Sequence, residues 1–253
     1  DLAHSGSYSL KFPYSVANPS QEQRFILGEY LPAVWIEYWL YIPSNFYHNS
    51  GSPNNNKFFS IWRDVYTASG DWHMTYEYQN AGDGNSYLRV VSTTSTNAIV
   101  ENIPRAQRGQ FAPFFGGSGP LQRGLWHRIR LEFKVASAAL ANNGVMKMWV
   151  DDTLLFEKSD GDFWNSIGNP TTTLHNFYWM GSTNADFTED TNFYIDDIKI
   201  YNVNPGWLDE PARDTTAPII SNGQPSGRLS SGIGQTTLSA TTDENATCRY
   251  STT

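Results

Sequence analysis

The chain carries one cysteine, Cys248, so no disulfide can form within it and its fold must rest on packing. At 253 residues this is sufficient, because a chain of that size buries a large core without staples. Charge is sparse: Asp, Glu, Lys and Arg make up 17%, and 25 acids against 17 bases leave a net charge of -8. A phosphate backbone is neutralised by clustered Lys and Arg, so general nucleic-acid binding is excluded. A strongly anionic partner is disfavoured too, unless the few cations gather at one site. No apolar run reaches the roughly 20 residues that cross a bilayer, and no membrane partner is expected. Also missing are a Gly-rich phosphate loop ahead of a helix, a zinc-ligand spacing and a Gly-x-Ser-x-Gly turn, so no organic cofactor is expected. No repeat occurs at solenoid or propeller periods.

What the chain has instead is aromatic and β-forming. Aromatics make up 15% of it, among many Ser, Thr, Asn and Gly, the profile of a β-rich extracellular domain. Val34, Ile36, Tyr38, Leu40 and Ile42 alternate with Trp35, Glu37, Trp39 and Tyr41, so one face of this strand is aliphatic and the other aromatic with one acid. In the next strand Phe59 and Ile61 join the aliphatic set, while Phe58, Ser60 and Trp62 point away, with Lys57 and Arg63 at the ends. From Asp71 to Gln79, Trp72, Met74, Tyr76 and Tyr78 alternate with His73, Thr75, Glu77 and Gln79. Open aromatic rings beside polar groups suit a sugar, which offers an apolar face and hydroxyls. Trp35, Trp39 and Trp62, with Gln79 and Arg89, are therefore the expected substrate-binding residues, in one groove with Glu37, His73 and Glu77.

Other stretches place the remaining elements. Tyr8, Leu10, Phe12 and Tyr14 predict a half-buried strand at a sheet edge. LWHRIRLEFKV turns Leu125, His127, Ile129, Leu131 and Phe133 inward, which makes His127 a hydrogen-bonded core histidine. NNGVMKMWVDDTLLFEK reads as a hairpin closed by a tight Asp151-Asp152 turn. His175–Gly181 and Asn192–Tyr201 supply two last strands, and 93–124 is a long irregular segment, of a length that usually carries function. After Tyr201 a Pro-punctuated linker spans 204–218, and 219–253 reads as a partial β module. A main domain is expected over 1–203. The chain opens at Asp1 without a start Met, as a mature or excised fragment would.

The order SGSYSLKF, EYWLYIP, LWHRIRLEFKV, NGVMKMWVDDTLLFEK and YIDDIKIY resembles the concanavalin A-like jelly rolls. Within that group it is most similar to laminin G-like glycan-binding domains and to jelly-roll polysaccharide lyases of the alginate, glucuronan and heparin types. The resemblance implies an all-β, two-sheet jelly roll with a short C-terminal β extension. DTTAPIISNGQPSG and TTDENATCRYS resemble the Ig-like β modules appended to secreted bacterial polysaccharide-degrading enzymes, which implies an extracellular, modular protein with polysaccharide as the partner; a monomer is expected. It also implies a structural Ca²⁺ held by the acid of a terminal IDDI strand, here Asp196 or Asp197, with backbone oxygens near the amino terminus. The alginate-lyase strands that bring Arg, Gln, His and Tyr into a groove are matched only in part. Ser60-Ile61-Trp62 stands where Gln and His are expected, Phe177-Tyr178-Trp179-Met180-Gly181 keeps the Gly without the Lys, and Glu22 and Arg24 faintly echo the strand that carries the Arg.

Three chemistries follow from these residues. Glycan recognition comes first, as part of a polysaccharide-degrading protein. Elimination from a uronate needs a neutralising cation, a base and an acid, for which His73, Tyr41, Arg63 and Arg89 are the candidates. Hydrolysis needs two carboxylates across the glycosidic bond, and Glu37 with Glu77 is the best pair. An adhesive role of the same fold is the remaining alternative.

Overall fold

The alternation read along the strand at Val34 governs the whole domain. In the computed structural model Val34, Ile36, Tyr38 and Leu40 have no solvent exposure, nor do Ile129, Leu131 and Phe133 on the neighbouring strand. The structure describes residues 2–15, 18, 20–46, 55–62, 73–80, 86–93, 121–138, 140–161, 163, 173–181, 187, 189–207 and 219–243, with 55–56, 73–80 and 86–93 by backbone alone.

The strands are β1 (Leu10–Tyr14), β2 (Gln23–Leu31), β3 (Ala33–Tyr41), β4 (Asn55–Trp62), β5 (His73–Asn80), β6 (Ser86–Thr93), β7 (Trp126–Lys134), β8 (Gly144–Val150), β9 (Thr153–Gly161), β10 (Leu174–Trp179), β11 (Thr191–Tyr201), β12 (Ile220–Gln224) and β13 (Ser239–Thr242). One sheet has six strands in the order β1-β11-β3-β7-β8-β9, and a second has five in the order β2-β10-β4-β5-β6. All described pairings are antiparallel. β1 takes the expected edge position.

The aliphatic and aromatic inner faces of the two sheets meet. Phe133 of the six-stranded sheet stacks on Phe59 of the five-stranded one with ring centres 5.3 Å apart, and Tyr38 meets Trp179 edge-on at 5.6 Å. The domain is thus an all-β, two-sheet jelly-roll sandwich, as the resemblance implies. Burial at roughly 25 cal/mol per Å² of apolar surface is the main force holding the layers together. The β8–β9 hairpin closes at Asp151 and Asp152 with φ of 48° and 70°, the left-handed pair that a two-residue hairpin turn demands and that Asp tolerates. His127 is buried beside it, with Nδ1 2.6 Å from Asp151 Oδ2 and Nε2 2.9 Å from the Gln122 carbonyl. It is a structural histidine, as expected, whereas Leu125, expected on the same inward face, is 54% exposed because it lies just ahead of β7.

The described chain separates into two compact units, Asp1–Glu210 and Pro211–Thr253. In the second, β12 and β13 pair antiparallel, and all five residues of β12 are solvent-exposed.

Candidate functional site

Strand parity assigns a side chain to one face of its own strand; sheet membership then decides which surface of the molecule that face becomes. β3 lies in the six-stranded sheet and β4 and β5 in the five-stranded one. Trp35, Glu37, Trp39 and Tyr41 therefore look out from the opposite layer to Trp62. The single groove expected from parity is not formed, and Tyr41 cannot act with the His73 strand.

On the five-stranded sheet the register builds two cross-strand rows on the face turned away from the core. One runs Arg24, Tyr178, Ser60 and the position of Thr75; the next runs Ile26, Asn176, Trp62 and the position of His73. Further along, Lys57 pairs with the position of Glu77, and Glu77 with that of Arg89. Gln79 occupies the same strand two positions on. Arg24 is exposed, and its guanidinium carbon sits 5.7 Å from the centre of the Trp62 ring, within reach of a cation-π contact. Glu22 accepts a 2.5 Å hydrogen bond from Arg24 Nε. Trp62 and Tyr178 pack with ring centres 5.6 Å apart.

Trp62 was expected to be solvent-accessible, yet it is only 3% exposed, and Tyr178 and Ser60 have no exposure at all. Only Arg24, Ile26 and, in part, Asn176 and His175 reach solvent among the described side chains of these rows and their flank. Tyr30 extends this surface by stacking on His175 at 4.1 Å. Arg63 lies outside the described residues, as do most of segment 93–124, the loop at 48–54 and the turn at 81–85; the side chains of His73, Glu77, Gln79 and Arg89 are likewise outside them.

The pairing of Glu37 with Glu77 as hydrolytic carboxylates is overturned, because the two stand on different sheets. Glu37 is also unsuited to proton donation. Burial pushes its carboxyl up, but Lys199 Nζ at 2.9 Å and Arg130 Nε at 2.8 Å outweigh that and hold it below its ordinary value. A general acid needs the opposite shift. Glu37 is instead the hub of an ion-pair network that continues from Arg130 to Asp152 at 2.8 Å.

Asp196 and Asp197 meet the amino-terminal segment, as the resemblance implies, but through donors. Asp196 Oδ2 accepts the His4 and Ser5 amides at 2.8 and 3.2 Å, and Oδ1 accepts the Asp197 amide at 2.8 Å. Asp197 contacts His4 Nδ1 at 2.6 Å and accepts from Ser5 Oγ at 2.5 Å. Parity allowed only one acid to face this segment. Both do, because a register shift between Asp196 and Lys199 places one extra residue in β11, and Asp197 takes φ of 49°, the geometry of a β-bulge. Calcium prefers six to eight oxygen ligands, whereas these oxygens are turned to N–H and O–H groups, and no three candidate ligands converge among the described residues. The donor set around these acids does not fit calcium.

Sequence reasoning singled out neither Tyr178 nor Asn176 as site residues and gave Arg24 only a faint part. The available signal was parity: Phe177 and Trp179 face the core, so Asn176 and Tyr178 must face away. His4 and Trp207, which cover Trp39 and Trp149 respectively, carry no such pattern.

No protein-family model and no curated protein sequence matches this chain. Among solved structures the fold is shared with alginate lyase vAL-1 from Chlorella virus, at TM-score 0.54 and 14% identity over 79% of this chain and 86% of that one. Alginate lyase Aly36B aligns at TM-score 0.54 and 9% identity over 76% and 80% of the two chains. The cellulose induced protein Cip1 aligns at TM-score 0.52 and 15% identity over 80% and 83%. The chain thus has the jelly-roll fold seen in these alginate lyases and in Cip1, with very little sequence in common.

Proposed function

We propose that this protein recognises an extracellular polysaccharide on the outer face of its five-stranded sheet. The observation that carries the reading is the exposed part of the two cross-strand rows, Arg24 and Ile26 with the half-buried Asn176, underlain by the buried Tyr178, Ser60 and Trp62. β2, β4 and β10 are the same three strands that the sequence compares with the groove strands of alginate lyases, and they lie side by side. The structural neighbours add support, since one of them is an alginate lyase in complex with an alginate trisaccharide. Low charge and abundant Ser, Thr and Asn favour an extracellular setting.

Elimination is the second reading, supported by the adjacency of a guanidinium, a phenol and the His73 position. Binding is favoured over it for two reasons. Ser60 and Trp62 occupy the places of the lyase Gln and His, and Tyr178 is fully buried, where it has no route to a substrate proton.

Incubation with a polysaccharide panel tests both. Affinity electrophoresis should show retardation by at least one polysaccharide, weakened by about tenfold on Arg24→Gln, since an exposed side chain can be changed without loss of fold. Retardation without ultraviolet absorbance from unsaturated uronates, and without new reducing ends, is expected. Product absorbance would decide for elimination, and no binding to any member would overturn the proposal.

A further inference from the structure

The outer face of the six-stranded sheet carries a second aromatic row. Register aligns Lys11 with Tyr194, Tyr194 with Tyr41, and Tyr41 with Trp126, across β1, β11, β3 and β7. The three aromatics are half-exposed and Lys11 is exposed. Ring centres are 6.0 Å apart for Tyr194 and Tyr41 and 5.6 Å for Tyr41 and Trp126. Four adjacent strands at about 4.8 Å spacing make the row about 14 Å long. The rings stand at 70° and 58° to one another, so they do not form a flat platform, and a planar crystalline surface cannot lie on all three. A single soluble chain, turning from unit to unit, can meet each ring in succession.

The charge at the row is set locally. The acids next along β11 are Asp196 and Asp197, and both are engaged by His4 and Ser5. Glu37, further along β3, is held by Lys199 and Arg130. Among the described residues no acid is paired with Lys11. An aromatic row that ends on an ammonium group offers stacking for pyranose faces and one ionic contact for a carboxylate.

We propose that Trp126, Tyr41, Tyr194 and Lys11 form a second glycan-binding site, on the opposite layer to the first, that takes a soluble oligosaccharide bearing carboxylate groups. The site deepens the polysaccharide reading but uses none of the residues of the five-stranded sheet. The test uses the full chain, with sodium alginate and its carboxyl-reduced neutral form as probes in affinity electrophoresis.

Arg24→Gln should leave residual binding to alginate. In that background Lys11→Gln should weaken alginate binding by about tenfold while leaving the carboxyl-reduced probe unaffected, as loss of one ionic contact predicts. Tyr194→Ala should weaken both probes by about tenfold, by loss of stacking, and Tyr194→Phe should restore them. Should Tyr194→Ala fail to fold, the exposed Lys11 carries the test. The proposal is overturned if the unaltered chain binds no alginate, or if the Lys11 and Tyr194 variants stay within about twofold of their parent. In the second case weakening by Arg24→Gln would keep the first site; conversely, weakening by the row variants with none by Arg24→Gln would keep the second site and remove the first.

Discussion

Glu37 lies on the outward face of β3, yet it is 6% exposed and bonded to cations from both neighbouring strands. Removing its charge leaves Arg130 with one fewer acceptor in a largely buried setting, and the desolvation already spent on that guanidinium is not returned. Glu37→Gln should therefore lower stability by about 2 kcal/mol at neutral pH, read by urea denaturation. The pH dependence follows from the direction of its shift. A carboxyl held below its ordinary value of 4.5 contributes fully above that value and loses its contribution as pH falls through the folded-state value. The gap between wild type and Glu37→Gln should thus be constant from neutral pH down to about 5 and close in more acid solution. A gap that widens in acid would refute the network. At Gly161 the constraint is space: a Cβ there would fall 2.3 Å from the Phe163 ring. Gly161→Ala should cost about 2 to 4 kcal/mol, because a fully buried ring is the group that must move.

At the scale of single elements, β11 joins the two ends of its sheet's chemistry. Its bulge presents Asp196, Asp197 and Lys199 on one surface, where a regular strand would alternate them. His4 is drawn onto this surface by both acids and stacks on Trp39 at 3.8 Å, nearly parallel. The amino-terminal segment is thus pinned by hydrogen bonds and ring stacking. Since these donors fill the positions a cation would need, addition of a chelator should leave the melting temperature unchanged, while His4→Ala should lower stability by about 1 to 2 kcal/mol. A chelator-induced fall in melting temperature would show instead that a bound metal contributes stability by mass action. The bulge was not legible in the sequence: FYIDDIKIY reads as plain alternation, and a one-residue insertion leaves no compositional trace. The Asp151-Asp152 turn was legible, because two acids between apolar runs satisfy a requirement set within four residues.

For the whole molecule, the same distinction separates what could be read from what could not. The inner faces were legible at Val34, Ile36, Leu40, Ile129, Leu131 and Phe133, since alternation within a strand is local. The site was only half legible, because the sheet to which β3 or β4 belongs is fixed by pairing with strands over a hundred residues away, such as β11 and β10. Parity placed Trp39 and Trp62 on outward faces correctly and could not tell that these faces belong to opposite layers. The boundary between the two units tests the same reasoning about self-sufficiency. Unit Asp1–Glu210 contains both sheets and the buried cluster between them, a complete core by the ordinary standard of a sandwich. The described part of Pro211–Thr253 has two paired strands with Ile219, Ile220 and Leu238 more than 60% exposed, and a lone two-stranded pair is marginal in water. A chain ending at Glu210 should therefore keep the main cooperative unfolding transition, with its midpoint within about 2 °C of the full chain's. The isolated segment from Pro211 to Thr253 should show no cooperative transition of its own. Calorimetry on the three species checks this, and loss of the main transition on truncation would mean that the first unit's core is not sufficient to hold its fold.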